Sequence, residues 1–117
     1  MKKMNIVKKN SDFTKIIAAN LFVKDRNFVI YALPTEYPYA RFGVSVGKKI
    51  GKAVTRNYYK RQIRNIIDNH KNLYSKSRDY IIIIRKNCLN VTYQNLEQSI
   101  ISLMAKIDSL IESAKEN

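Results

Sequence analysis

Residues 48–64 read KKIGKAVTRNYYKRQIR, and the pattern in this stretch decides how the centre of the chain folds. The stretch holds seven cations and no carboxylate. In a helix that begins near Lys52, side chains three and four positions apart share a face. The apolar face would contain Tyr59, Ile63, Ile66 and Ile67, and the basic face one row of Arg56, Lys60 and Arg64 beside a row of Asn57 and Arg61. Such a helix packs its apolar face on a sheet and presents its cations to a polyanion.

A basic helical face can also be merely solvated. Solvated faces usually mix Glu and Asp among the Lys and Arg, because opposite charges four positions apart stabilise a helix. Residues 48–64 offer no such pairing. The pattern therefore favours contact with a nucleic acid.

Positive charge is concentrated in the first 90 residues of the 117-residue chain, whose net charge is +13. Residues 1–90 contribute 20 cations and 5 acids, whereas residues 91–117 contribute 2 cations and 4 acids. Repulsion of this size opposes compaction, so a polyanionic partner that neutralises it is the natural explanation.

Composition excludes several other classes. Apolar residues make up 45% of the chain, too many for a disordered basic tail, and the length suits a single domain over residues 1–117. The longest apolar run, residues 80–84, is too short to cross a bilayer, and Lys8 and Lys9 interrupt any signal-peptide core. Cys88 is the single cysteine, which suits a reducing compartment. We expect a cytoplasmic protein without membrane association.

Hydrophobic patterns outline the elements before the basic helix. Residues 1–10 form a basic arm, and Ser11 is the expected N-cap of a short helix that ends near Asn20. Residues 27–33 and 41–47 are predicted as strands. One face of the second strand carries mostly small residues, which would let another group approach its backbone closely.

The remaining elements follow the basic helix, which should run from about Lys52 to His70. Residues 79–85 contain four consecutive isoleucines, the pattern of a strand covered on both sides. Thr92 is the expected cap of an amphipathic helix within residues 91–117. The order predicts an α/β sandwich with one sheet and helices mainly on one face.

The sequence offers no catalytic or metal-binding constellation. His70 is the only histidine, and no Cys or carboxylate lies near it at metal-ligand spacing. Residues 47–53 differ from a phosphate-binding loop, with three residues between the glycines and Ala53 where a hydroxyl would hold magnesium. The N-terminus of the basic helix can still bind a phosphate group beside Lys52.

Residues 43–54, GVSVGKKIGKAV, followed by Arg56-Asn57 and residues 60–64, closely resemble the signature of the bacterial ribonuclease P protein subunit. Residues 8–13, 26–31 and 79–86 resemble further blocks of that family in the same order. The match therefore extends along most of the chain.

This resemblance implies a protein that binds a large catalytic RNA, and a ribonucleoprotein that removes the 5′ leader of precursor tRNA. The RNA performs the hydrolysis and holds most of the Mg²⁺, so the protein alone is expected to be inactive. The implied partners are that RNA and precursor tRNA, with no obligate protein partner. The implied fold has the order αβββαβα, one mixed sheet and a left-handed βαβ crossover, against the usual right-handed preference.

The resemblance also implies two binding surfaces. The surface for the RNA subunit comprises Lys48, Lys49, Lys52, Arg56, Asn57, Lys60, Arg61 and Arg64. A cleft between the first helix and the sheet would hold the leader, and its implied lining is Lys9, Phe13, Ile17, Val29, Tyr31 and Arg85. Aromatic rings beside cations suit a single strand, although from pattern alone Phe13 and Tyr31 could equally be core residues.

Two positions depart from the family pattern. Tyr58 stands where the family usually has a third cation after Arg56 and Asn57, so that contact loses its charge. Ile17 stands where the family often has a second aromatic residue, so base stacking is lost there.

Two other functions compete with this interpretation. A structural protein of the ribosome would use the same helix to neutralise rRNA phosphates and would sediment with ribosomal subunits. A nucleoid-type DNA binder is the weakest alternative, because the sequence has no dimer zipper, apolar wedge or obvious helix-turn-helix.

Overall fold

The computed structural model describes residues 1–116, with side chains through residue 114. Within these residues the helices are α1 (Asn10–Ala18), α2 (Ala53–Asp68) and α3 (Tyr93–Glu116), and the strands are β1 (Phe22–Lys24), β2 (Phe28–Pro34), β3 (Arg41–Ser45) and β4 (Arg78–Ile84). The predicted order αβββαβα is confirmed. None of the helices in residues 1–116 has the length and hydropathy needed to cross a membrane.

The four strands form one mixed sheet in the order β1-β2-β4-β3. β4 pairs antiparallel with β2 and parallel with β3. Parallel neighbours cannot be joined by a tight turn, so the chain between β3 and β4 crosses over the sheet through α2. The mixed sheet is confirmed, and the left-handed sense of the crossover stays a prediction.

The main core lies between one face of the sheet and the pair of helices α2 and α3. Ile82 and Ile84 of β4 point into this core, together with the apolar residues of α2 and the stripe along α3. The stripe consists of Tyr93, Leu96, Ile100, Leu103, Met104, Ile107 and Ile111. The alternate residues of β4 point to the opposite face, which explains why its isoleucines are consecutive.

α1 packs on the opposite face of the sheet in a smaller cluster. Ile16 of α1 and Ile81 of β4 are fully buried there beside Val7. The ring of Phe13 lies directly over Gly43 of β3, where a Cβ atom would sit 2.6 Å from Phe13 Cζ. The predicted close approach to the small face of this strand is therefore confirmed, and Phe13 is the group that approaches.

The basic arm is attached to the edge of β3. Ile6 forms a parallel bridge with Phe42, and the backbone N–H of Val7 donates to the Phe42 carbonyl at 3.0 Å. Asn5 is buried and its side-chain amide donates to the Ala40 carbonyl at 2.8 Å. These contacts hold the lysines of the arm in fixed positions relative to the sheet.

Several predicted boundaries shift in the structure. The N-cap of α1 is Lys9, which makes no side-chain capping bond, so the prediction of Ser11 is wrong. β1 contains three residues and was not located by pattern. The cap of α3 is confirmed, because Thr92 Oγ1 accepts a hydrogen bond from the Asn95 N–H at 3.3 Å.

The contact between Phe13 and Gly43 predicts a difference between two glycines of the same segment. Gly43→Ala would place its Cβ 2.6 Å from Phe13 Cζ and 2.8 Å from Cδ1 of the fully buried Ile81. Overpacking of this kind costs about 1–3 kcal/mol of the free energy of unfolding. Urea denaturation measures the loss as a lower midpoint.

Gly47→Ala is the matched control. No heavy atom lies within 4 Å of its added Cβ, and its φ of −69° suits any residue. We expect a change within about 0.5 kcal/mol. Equal midpoints for the two variants would show that Phe13 does not pack tightly on β3.

Candidate nucleic-acid interface

The basic helix α2 begins after a sharp change of chain direction at Gly51. A 3-10 turn, Lys48–Ile50, leads into this glycine, whose φ is +155°, and Lys52 is the N-cap of α2. An added Cβ would lie 3.2 Å from Thr55 Cβ. The positive φ favours glycine, an added Cβ would also crowd Thr55, and the turn places Lys48 and Lys49 just before the helix N-terminus.

Three isoleucines hold α2 on the sheet. Ile63, Ile66 and Ile67 are fully buried in the main core, and Tyr59 packs against that core. Burial raises the pKa of the Tyr59 hydroxyl. The predicted apolar face is confirmed, and the opposite side of the helix consequently faces solvent.

The predicted basic positions surround that solvent-facing side, and we call them the α2 surface. It comprises Lys48, Lys49, Lys52, Arg56, Asn57, Lys60, Arg61 and Arg64. Asn57 and Arg61 are exposed, as are the three lysines that precede the helix. The row of Arg56, Lys60 and Arg64 is half-buried at the boundary with the core, so the two predicted rows differ in exposure.

None of the seven cations of the α2 surface forms an ion pair within 4.0 Å with any carboxylate of residues 1–114. The Nε atom of Arg56 is buried and has no hydrogen-bond partner there. Seven cations close together without counter-charge produce a strongly positive potential.

The carboxylates are engaged elsewhere in the molecule. Asp79 holds Arg41 through two hydrogen bonds of 2.8 and 2.5 Å, which raise the pKa of that guanidinium, and Asp12 approaches the same group at 3.7 Å. Asp108 and Glu112 of α3 hold the buried Arg78. The other engaged acids are Asp25 with Ser99, Asp68 with Tyr74 and Glu97 with His70. The acids therefore stabilise the scaffold and leave the α2 surface uncompensated.

A second candidate surface lies on the opposite face of the sheet beside α1. The strand register places Phe22, Tyr31, Ile81 and Gly43 in one row across the four strands. The next row contains Lys24, Val29, Ile83 and Ser45. Phe13 and Ile17 of α1 stand beside these rows, and we call the whole arrangement the α1 cleft.

The structure brings most of the predicted cleft residues to this face. Phe13, Val29 and Tyr31 are half-buried, which leaves part of each ring or side chain accessible, and Ile17 is exposed. Lys9 is exposed at the start of α1. Arg85 follows β4, and its Nη1 donates to the Asp25 carbonyl at 2.7 Å, which fixes the guanidinium at the end of the sheet.

Sequence reasoning missed Phe22 and Lys24 in this cleft. Their strand is only three residues long, too short for an alternating pattern to stand out. The ring of Phe22 lies 5.2 Å from that of Tyr31, and 37% of Phe22 is exposed.

The remaining reactive side chains, His70 and Cys88, each have a defined local environment. Among the residues whose side chains are described, no three His, Cys, Asp or Glu come together as metal ligands. Nε2 of His70 lies 3.2 Å from a single carboxylate, that of Glu97. Cys88 is fully buried, and burial raises its pKa to about 11, so the thiolate nucleophile is scarce at neutral pH.

Fold and surfaces together define a class: a small, basic α+β protein with one uncompensated cationic helix and one aromatic cleft. The family model that matches residues 1–108 is Ribonuclease P. The chain belongs to the family of ribonuclease P protein components, as the sequence resemblance predicted.

Individual relatives agree with this assignment. The ribonuclease P protein component of Mycoplasma mycoides is 42% identical over 108 residues, covering 92% of this chain and 99% of the relative. That of Halalkalibacterium halodurans is 43% identical over 101 residues, covering 86% and 85%. The solved RNase P protein of Staphylococcus aureus has a TM-score of 0.80 at 34% identity, covering 86% and 93%. The Thermotoga maritima protein has a TM-score of 0.76 at 27% identity, covering 83% and 92%.

Proposed function

We propose that this chain is the RNA-binding subunit of a cytoplasmic ribonuclease P and assists the endonucleolytic removal of the 5′ leader from precursor tRNA. It binds the catalytic RNA through the α2 surface and the single-stranded leader through the α1 cleft. The observation that carries the proposal is the set of seven α2-surface cations without a carboxylate partner in residues 1–114, in a chain of this family.

The α2 surface suits a folded RNA because its contacts are to phosphate. Arginine binds phosphate through paired N–H groups, and lysine adds a point charge. Within the helix itself, Arg61 and Asn57 are the exposed members of the α2 surface, so they are accessible to a groove of the RNA. Lys48, Lys49 and Lys52 lie near the helix N-terminus, where free backbone N–H groups also favour an anion.

The α1 cleft suits a single strand because it combines accessible rings with cations. Phe13 and Tyr31 supply surfaces on which bases stack, and each stacked base is worth about 1–3 kcal/mol. Val29 and Ile17 add apolar contact, while Lys9 and Arg85 neutralise phosphates at the margins of the cleft. Binding the leader there would fix the position of the scissile phosphodiester relative to the RNA.

In this proposal the bond is broken by the RNA. Water attacks the phosphorus, the bond to the 3′ oxygen of the leader breaks, and the 5′-phosphate stays on the tRNA. We assign Mg²⁺ to the RNA, as the family resemblance implies, and derive no step through a protein-bound metal.

Reconstitution tests the proposal as a whole. The protein is combined with a bacterial ribonuclease P RNA and a precursor tRNA, and cleavage is followed as Mg²⁺ is lowered. We expect no cleavage by the protein alone and a lower Mg²⁺ requirement in the complex, because the protein supplies positive charge that Mg²⁺ otherwise supplies. Cleavage by purified protein, or an unchanged Mg²⁺ requirement, would refute the proposal.

Arg61→Ala tests the α2 surface. Loss of one phosphate contact should weaken binding to the catalytic RNA and make the plot of log affinity against log salt shallower by about one unit. Fluorescence titration at several salt concentrations measures this slope. Lys106→Ala removes one exposed cation from α3 and is the matched control, with no expected change. Equal slopes for the two variants would place Arg61 outside the RNA contact.

Phe13→Ala and Tyr31→Ala test the α1 cleft. Each should reduce the preference of the holoenzyme for precursor over mature tRNA by about fivefold or more, since a stacked base is lost. Tyr93→Ala is the control, because Tyr93 is a half-buried ring on the main core. Circular dichroism establishes that each variant folds. An equal loss of affinity for both tRNAs would mean that the rings serve only the core.

A further inference from the structure

A second group of rings and lysines, in which Tyr37 is exposed and Tyr39 half-buried, lies beyond the N-terminus of α1. The attached N-terminal arm and the loop between β2 and β3 form a depression of about 280 Å³. Its margin carries Lys3, Met4, Lys8, Lys9, Tyr37 and Tyr39, which we call the arm–loop patch. Met4 is 50% exposed and Tyr37 is 45% exposed, so the apolar part of the patch is open to solvent.

The rings of the patch are held in place before any ligand binds. Tyr37 and Tyr39 stack with centroids 5.5 Å apart and an interplanar angle of 29°. The guanidinium of Arg41 lies 4.6 Å from the centroid of Tyr37, and Asp79 holds that guanidinium. Neither tyrosine hydroxyl has a hydrogen-bond partner in residues 1–114. A ring fixed in this way loses little entropy when it binds.

The charge of the patch is positive and largely uncompensated. Lys3, Lys8 and Lys9 have no carboxylate within 4.0 Å among the described side chains. Asp12 is the carboxylate that lines the depression, and it is engaged with Arg41 at 3.7 Å. Glu36 lies beside Tyr37 in the loop and is exposed. Fixed rings surrounded by lysines are the arrangement that binds unpaired nucleotides.

We propose that the arm–loop patch is a second binding site for single-stranded RNA, separate from the α1 cleft. Lys9 belongs to both surfaces, so a strand that leaves the cleft at the start of α1 meets this lysine before it reaches the patch, and the carboxylate nearest that path, Asp12, is paired with Arg41. The unpaired nucleotides come from the distal part of a long leader or from a loop of the RNA subunit. This inference depends on the proposed function only for the identity of the RNA that supplies the unpaired nucleotides.

Site-directed crosslinking separates the two sources. Tyr37→Cys is labelled with a photoreactive group and assembled with the RNA subunit and precursor tRNA; Cys88 does not compete because it is fully buried. We expect crosslinks to unpaired nucleotides, in the leader or in the RNA subunit according to the source. Lys106→Cys, exposed on α3, gives the background level. Crosslinks no stronger than this background would overturn the proposal.

Affinity supplies the second measurement. Precursors with leaders lengthened one nucleotide at a time are titrated with holoenzymes carrying Tyr37→Ala, Tyr37→Phe or Lys8→Ala. If the leader is the source, Tyr37→Ala should weaken binding about fivefold or more, but only above a threshold leader length. If the RNA subunit is the source, Tyr37→Ala weakens binding of the protein to the RNA subunit alone by the same factor. The loss in precursor binding then does not depend on leader length. Tyr37→Phe should retain affinity because it keeps the ring.

Lys8→Ala should make the plot of log affinity against log salt shallower by about 0.7 units, the slope expected for one phosphate contact to single-stranded RNA. Lys106→Ala is its control. Urea denaturation of each variant shows whether loss of the Arg41 contact disturbs the fold. If both Tyr37→Ala and Lys8→Ala retain wild-type affinity, the arm–loop patch is not a binding site for single-stranded RNA. The proposed function would be unaffected, since the wild-type holoenzyme tests that function by itself.

Discussion

Burial of β4 from both sides is the constraint on which the rest of the structure depends. Ile82 and Ile84 enter the core under α2 and α3, whereas Ile81 lies under α1 and Ile83 packs against the same cluster. A strand with two apolar faces requires a layer on each, so the helices cannot all lie on one side. The consequence is two separate candidate surfaces, with the cationic helix on one layer and the aromatic cleft beside the other.

Most of the few carboxylates are used to stabilise the folded scaffold. Partly buried arginines such as Arg78 and Arg41 need acidic partners, because an unpaired buried charge is strongly destabilising. Seven of the eight acids whose side chains are described pair with an arginine, with another side chain or within a turn, which leaves the cations of α2 to repel one another. A polyanion that binds only the folded chain relieves this repulsion and stabilises the fold by mass action. Binding and folding are thereby coupled through charge.

Periodicity made some parts of this architecture predictable and not others. The faces of α2 and the two-sided burial of β4 follow from residue spacing alone, and both are confirmed. Pattern could indicate that β3 has a face open to close approach, but only the fold shows that Phe13 occupies it. β1 was not predictable because a strand of three residues carries too little periodicity, and Phe22 in that strand was therefore not predicted either. Attachment of the arm uses the bridge from Ile6 to Phe42 and the buried amide of Asn5, which are long-range contacts that no local pattern encodes.

The surroundings of Tyr58 and Ile17, the two departures from the family pattern, indicate what each side chain can contribute. Tyr58 is 50% exposed and its ring meets Tyr59 edge to face at 5.3 Å, so it offers a supported ring where a cation is usual. Under the proposed function, that exchange would replace a salt-dependent contact with one that depends on stacking. Ile17 removes a ring from the α1 cleft, yet Phe22 contributes one that is paired with Tyr31. Because a base can stack on either ring, leader binding under the proposed function would use Phe22 of the edge strand in place of the ring that α1 lacks.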